Sequence, residues 1–211
     1  MQEIKDKKYK FNSHEQKIWF TSDTHFGHAN IIKFCGRPFV DVEQMNKQLI
    51  KRWNEQVGKD DIVFHLGDFI FGGSELFESI ISQLNGHIYW VFGNHDYRNV
   101  REKYLKLFAG AAPKMVISID EQPIILNHEP ILCFGGQENY RYWHLFGHVH
   151  TTRTNRQGMD YEKMLSMSTP SMYDVGVDFN NYRPISWNVV KSTIIAQISR
   201  NLNYIEYAIT K

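Results

Sequence analysis

Short, uninterrupted apolar runs of strand length recur along this chain, separated by stretches with helical spacing. "KIWFTSD" (17–23) opens the series. In "DVEQMNKQLIKRWNEQVG" (41–58), Val42, Met45, Leu49, Trp53 and Val57 recur at three- and four-residue steps, which predicts an amphipathic helix with Asp41 as N-cap and Gly58 as C′ residue. "DIVFHLGD" (61–68) is a second strand. "SELFESIISQL" (74–84) reads as a helix capped by Ser74, with Leu76, Phe77, Ile80, Ile81 and Leu84 inward and Asn85-Gly86 ending it. "HIYWVF" (87–92) follows as a strand and "REKYLKLFAG" (101–110) as a short helix. The second half is richer in strands: "KMVISID", "PIILNH", "WHLFGH" and "MYDVGVD". "SWNVVKSTIIAQISRNLN" (186–203) reads as a terminal helix opened by Pro184 and Ser186, although its β-branched content also permits a strand. Residues 1–12 are expected to be a polar tail or an edge strand.

Alternating strands and helices indicate an α/β or α+β layered fold. Apolar runs that are continuous rather than alternating indicate strands buried on both faces, with helices outside two sheets or one large sheet. At 211 residues, with no internal repeat or low-complexity linker, one domain over 1–211 is expected. A formal charge of +1, from 24 basic and 23 acidic residues, gives no case for a nucleic-acid polymer or a membrane surface as partner. The two cysteines, Cys35 and Cys133, form neither a CxxC nor a disulfide framework, and the start "MQEIKDKKYKFN" has no apolar signal core. Both fit a cytoplasmic protein. Oligomeric state stays open.

The chemistry lies in how the apolar runs end. "IWFTS" leads to Asp23 and His25, "IVFHLG" to Asp68, "IYWVFG" to Asn94, His95 and Asp96, "IILN" to His128, and "HLFG" to His148 and His150. In open α/β sheets, functional groups gather at the carboxyl ends of strands. Oxygen and imidazole donors without thiolates form the ligand set of a hard or borderline divalent metal. Asn94 is neither acid nor base, so a working Asn94 lends an oxygen lone pair. Asp23, His25, Asp68, Asn94, His128, His148 and His150 are too many for one ion. They suffice for two, with Asp68, alone between the groups, as the bridging carboxylate. A pair of ions roughly 3.5–4 Å apart would hold a hydroxide between them and clamp an in-line displacement at phosphorus. His95 stays off the metals.

"SDTHFGH", "GD", "GNHD", a lone later His and "GHVH" occur in the order seen in the calcineurin-like metallophosphoesterase superfamily, and the chain resembles it over about residues 18–178. The resemblance implies a four-layered α/β-β/α sandwich of two mixed β-sheets flanked by helices. It implies Asp23, His25 and His150 on a first metal, Asn94, His128 and His148 on a second, and Asp68 between them. His95 would serve the leaving-group oxygen, with Asp96 orienting it. The two divalent ions would be drawn from Mn²⁺, Fe²⁺, Zn²⁺ or Ni²⁺. The phosphate-gripping arginine of the protein-phosphatase branch is missing after "GD". The closest likeness is to compact bacterial and phage phosphoesterases, where "SDTHFGHANII", "RPF" and "VGVD…YRPIS" also occur. A diester carries one charge fewer than a monoester and needs less cationic grip, so the missing arginine favours a phosphodiester, small or nucleotide, over a phosphomonoester. A non-catalytic scaffold on this fold would have lost a ligand, and this chain keeps them all.

Around the core set, Arg37, His28 and Arg98 are the candidates for touching substrate. His28 either lines the mouth or caps "ANIIKF", and Arg98 is equally readable as a surface arginine. Arg183 has similar standing. Tyr140, Tyr142 and Trp143 in "ENYRYWH" are either an aromatic wall for a ring or part of the core. His65 is expected to be a buried, hydrogen-bonded strand residue, and His14 and His87 have no assigned role.

Overall fold

A computed structural model describes residues 9–98, 102–151 and 161–209. In chain order the elements are β1 (Tyr9–Phe11), β2 (Ile18–Thr21), α1 (Ala29–Cys35), α2 (Val42–Asn54), β3 (Ile62–His65), α3 (Ser74–Ile81) and β4 (His87–Val91). After a 3₁₀ turn (Asp96–Arg98) come α4 (Glu102–Leu105), β5 (Gly110–Ala112), β6 (Lys114–Ile119), β7 (Gln122–Asn127) and β8 (Trp143–Phe146). The chain continues with α5 (Tyr161–Met167), β9 (Met172–Asp174), β10 (Ile185–Ser186) and α6 (Trp187–Ile209).

The strands form two five-stranded mixed sheets, in the orders β10-β2-β3-β4-β5 and β1-β6-β7-β8-β9. In the first, β2 through β5 are parallel and only β10 runs against its neighbour. In the second, β6 and β7 form the antiparallel pair. Side chains from both sheets, among them Phe20, Phe64, Leu66, Ile117, Leu126 and Leu145, share one core. Met45, Leu49, Trp53, Phe77 and Ile80 from α2 and α3 pack with Val63 and Trp90 on the outer face of the first sheet. A smaller cluster of Phe146, Met164 and Met172 seats α5 on the second sheet. Helix, sheet, sheet and helix therefore stack in the expected sandwich. The fully buried pattern of β3 and β8 follows from cover on both faces.

Local expectations mostly meet their physical causes. Asp41 caps α2, its Oδ1 accepting the Gln44 N–H at 2.7 Å. Gly58 does not end α2, which stops at Asn54; the Gly58 N–H instead meets Asp61 Oδ2 at 2.8 Å. Gly73, not Ser74, is the N-cap of α3, and no side chain caps that helix. Of the 186–203 stretch, Ser186 belongs to β10 and the rest is helical, its apolar Trp187, Val190 and Ile194 packed in the inter-sheet core. Residues 9–11 form an edge strand parallel to β6. No helix among the described residues is long and apolar enough to cross a membrane.

Parallel register puts the carboxyl ends of β2, β3 and β4 on one edge of the first sheet. The ends of β7, β8 and β9 lie together on the second. Cross-sheet bonds join the two edges: Val177 N–H donates to the Ser22 carbonyl at 3.0 Å, and Ser22 pairs with Gly176 in a parallel bridge. The seam between the sheets thus carries every strand end with a candidate ligand.

Candidate metal centre

The chain leaves each strand through a sharp turn. Asp23 (φ 58°), His25 (φ 49°), Asp68 (φ 53°), His148 (φ 69°) and His150 (φ 46°) all occupy the left-handed region, which non-glycine residues seldom enter. Such strain, concentrated on five residues of one seam, persists only where the surroundings over-determine it. Here the Asp23 N–H bonds the Gly67 carbonyl at 2.9 Å, the His25 N–H bonds the Asp68 carbonyl at 3.0 Å, and the His148 N–H donates to the Asp23 carboxylate at 2.9–3.1 Å. Gly93 explains why β4 runs into a glycine: a Cβ there would collide with the Asp68 carboxylate and its backbone N–H.

Three groups of donor atoms result among the described residues, and one of them, Cys35 with His150 and Asp178, shares His150 with the first of the two that hold strand-end residues. Ligating atoms of Asp23, His25 and His150 lie within 4.8 Å of one another, and so do those of Asp68, His128 and His148. Asn94 Oδ1 joins the second group, 3.0 Å from both His128 Nε2 and His148 Nδ1. Asp68 Oδ2 stands 3.5 Å from His25 Nε2 on one side and 3.4 Å from His128 Nε2 on the other. The structure thus brings together all seven candidate ligands.

Outer partners set which nitrogen each imidazole presents. His128 donates from Nδ1 to the Leu66 carbonyl at 2.7 Å, leaving Nε2 on the cluster. His150 places Nδ1 2.8 Å from Asp178 Oδ2, leaving Nε2 3.9 Å from Asp23 Oδ1. His25 turns Nδ1 toward His28 at 3.4 Å, and its buried Nε2 has no hydrogen-bond partner. A buried ring nitrogen without a hydrogen-bond partner, aimed at a carboxylate that faces two other imidazoles, is chemistry that suits a cation. The donor set therefore fits divalent metals.

Charge within the seam is balanced by contact. Burial, then the neighbouring His150 and Arg37, hold His25 well below its ordinary pKa, so it is neutral. Burial also opposes a charge on His128, but Asp68, Asp23 and the Leu66 carbonyl outweigh it and push the pKa up to about 9. At His150 burial is likewise outweighed, by Asp178, Cys35 and Asp23, and the pKa rises to about 11. Asp68 is held below the usual carboxylate range because His128, with His95, outweighs its burial.

Two expectations about supporting residues need correction. Arg37 is buried and has no donor left for phosphate. Nε and Nη2 grip Asp178 at 2.8 Å each, Nη2 and Nη1 donate to the carbonyls of Asp23 (2.7 Å) and Thr24 (3.0 Å), and Nη1 also reaches Met45 Sδ. Asp96 does not orient His95. Its buried carboxylate accepts the N–H groups of Gly93, Asp68 and Phe69 at 2.7, 2.8 and 2.9 Å and the Trp90 indole at 3.1 Å. Burial pushes its pKa up to about 6 against those donors, which still leaves it ionised at neutral pH. It pins the Asp68 turn to the Gly93 turn.

His95 does face the cluster, half exposed, with Nε2 4.0 Å from Asp68 Oδ2 and its backbone N–H on Asp68 Oδ1 at 2.9 Å. His28 sits at the N-terminus of α1 without capping it, and its ring lies against Phe71 at the mouth. The side chain of Arg98 lies outside the described residues. Arg183 lines a cavity with Trp19 and Gln56 that contains no cluster residue. The "ENYRYWH" aromatics do not form a wall at the site: Trp143 is buried against Trp187, and the Tyr140 hydroxyl bonds Asn201. His65 is buried, with Nε2 2.9 Å from the Thr24 hydroxyl. Asp178, to which the sequence reading gave no role, is the residue it missed. The one signal for it was its place after β9 in "VGVD".

The fold and its seam define a class: a two-sheet sandwich with oxygen and imidazole donors at the strand ends. Residues 16–187 match the family model described as calcineurin-like phosphoesterase, and the chain belongs to that family. The family works with divalent metal ions, so the chain is a metal-dependent phosphoester hydrolase by descent. An uncharacterised protein of Methanocaldococcus jannaschii is 35% identical over 191 residues, covering 89% of this chain and 97% of its own length. The gene 66 protein of Mycobacterium phage D29 is 26% identical over 183 residues, covering 75% of this chain and 90% of its own. A crystal structure of a protein of unknown function from Aquifex aeolicus superposes with a TM-score of 0.61 at 25% identity, covering 84% of this chain and 98% of that one.

Proposed function

We propose that this protein is a dinuclear, metal-dependent phosphodiesterase. The observation that carries the reading is the central position of Asp68 Oδ2, 3.5 Å and 3.4 Å from imidazoles of two separate donor groups. Asp23, His25 and His150 would hold one ion, and Asn94, His128 and His148 the other, with Asp68 shared. When bound, the ions supply Lewis acidity that polarises the phosphoryl oxygens and lets water ionise near neutral pH. Asn94 adds a ligand without adding negative charge, which keeps the centre attractive to an anionic ester. As a water-derived oxygen bonds to phosphorus and the ester P–O bond opposite breaks, His95, within reach of Asp68 and open to solvent, would deliver a proton from Nε2 to the departing oxygen. Asp96 contributes at one remove, fixing the turns that carry Asp68 and His95. Preference for a diester rests on Arg37: among the described residues this buried guanidinium beside the cluster is spent internally, so a singly charged phosphate is the better match.

Asp68→Asn tests the reading. The variant is expected to fold, to lose stoichiometric manganese by elemental analysis and to lose hydrolysis of bis(p-nitrophenyl) phosphate. Full activity in that variant would overturn it, and faster turnover of p-nitrophenyl phosphate by the parent would reassign the protein to monoesters.

A further inference from the structure

Two large aromatic rings at the mouth of the cluster are not used by the metal centre. Phe71, in the loop after β3, is 39% exposed, and Phe34, on α1, is 46% exposed. Scattered exposed apolar residues are ordinary on a soluble protein, but a contiguous patch marks a contact surface. These two rings are joined through His28. Phe71 stacks on the His28 ring at 4.4 Å and 21°, and Phe34 meets the same ring edge-on at 6.3 Å. Phe71 also faces His95 at 6.1 Å, and His95 lies 5.7 Å from His25. An aromatic surface therefore runs from a metal-facing imidazole, past the proton donor, out to solvent.

Its position determines what it can touch. The oxygen that receives the His95 proton belongs to the leaving group, so the leaving group is the part of the substrate beside Phe71. An aromatic surface favours flat, polarisable rings, which gain stacking contact with little conformational loss. Among natural phosphoesters the flat ring carried one sugar away from phosphorus is a nucleobase. With a formal charge of only +1, the chain has no excess of basic residues to follow a long phosphate backbone.

Resting on the phosphodiesterase reading, we infer that the leaving group is a nucleoside, its base seated against Phe71 and Phe34, and that the substrate is a small nucleotide ester. The matched probes are adenosine 5′-monophosphate and ribose 5-phosphate, which share phosphate and sugar and differ in the ring. Equilibrium binding of each to the manganese-loaded protein, by calorimetry, does not depend on turnover. Adenosine monophosphate is expected to bind roughly ten- to a hundredfold tighter. Phe71→Ala should erase most of that ratio while leaving manganese content and ribose 5-phosphate affinity unchanged, and Phe34→Ala should erase part of it. Equal binding of the two probes to the parent protein, or a ratio untouched by both variants, would overturn the inference whatever the hydrolytic activity. Ring-dependent binding in a protein that hydrolyses no phosphodiester would instead sink the phosphodiesterase reading and leave the aromatic site standing.

Discussion

The chain of contacts behind His150 shows how a single candidate ligand is aimed. Arg37 clamps Asp178 with two 2.8 Å bonds, and Asp178 in turn holds His150 Nδ1 at 2.8 Å. The Arg37 and Asp178 side chains are removed from bulk water, and His150 is 16% exposed. Burial alone would raise the Asp178 pKa, yet Arg37 and His150 outweigh it and hold it down to about 2. A carboxylate so fixed keeps the ring from rotating and makes Nε2 a stronger donor. Asp178→Asn keeps the shape but removes the charge. The expected result is manganese affinity lowered by roughly ten- to a hundredfold at the group containing His150, with the His128 group retained. Calorimetric titration should show one class of site weakened and the other kept, and an unchanged titration would disprove the brace. The seven candidate ligands were legible in sequence because each follows an apolar run. Asp178 was not, since its partner Arg37 is 141 residues away and only the folded seam joins them. Arg37 was misjudged for a related reason: proximity along the chain to a site loop does not say which way a side chain turns, and the role the resemblance implied for Asp96 fails because its carboxylate is spent on the turns beneath.

At the scale of elements, long patterned segments were readable and short ones were not. α2 and α3 display an apolar stripe over several turns, whereas β5 has three residues and β10 two, too few for any periodicity to register. Those strands exist because neighbouring edges offer them bonds, which is tertiary information. The link between β7 and β8 is similar. His144, buried in β8, sets Nδ1 on the Ile125 carbonyl at 3.1 Å, while its Nε2 accepts the Ile131 N–H at 3.0 Å. Only a neutral ring can do both, and burial pushes its pKa down to about 4. A histidine depressed in the fold contributes stability that is present above about pH 6.5 and drains away as pH falls toward 4, because the unfolded chain takes up the proton first. Between pH 7 and pH 5 this single residue should cost the protein roughly 2 kcal/mol. Urea titrations of the parent and of His144→Gln at both pH values isolate the effect. The variant should be less stable at pH 7, with a pH-dependent loss smaller by about that amount, and equal slopes would refute it.

Across the whole molecule, the strained turns and the metal centre are one system. Five candidate ligands in the left-handed region each cost about 1–2 kcal/mol of backbone energy, borne by two sheets whose edges are locked at the Ser22–Gly176 bridge. Metal bound to the folded state alone returns free energy to the same turns. At a hundredfold excess over the dissociation constant, each site adds about 2.7 kcal/mol. For a chain of this length that is roughly 5–10 °C in Tm per site. Chelation should therefore lower Tm by that order while far-UV circular dichroism stays constant, because the sheets rest on the two large apolar clusters rather than on the ligands. Hydrogen exchange should quicken at 22–27, 67–69 and 147–150 and remain slow in β3 and β8. Asp68→Asn should already melt where the chelated parent does and gain little from added manganese. A parent protein whose melting ignores both chelator and manganese would mean that these turns are held by the sheets alone.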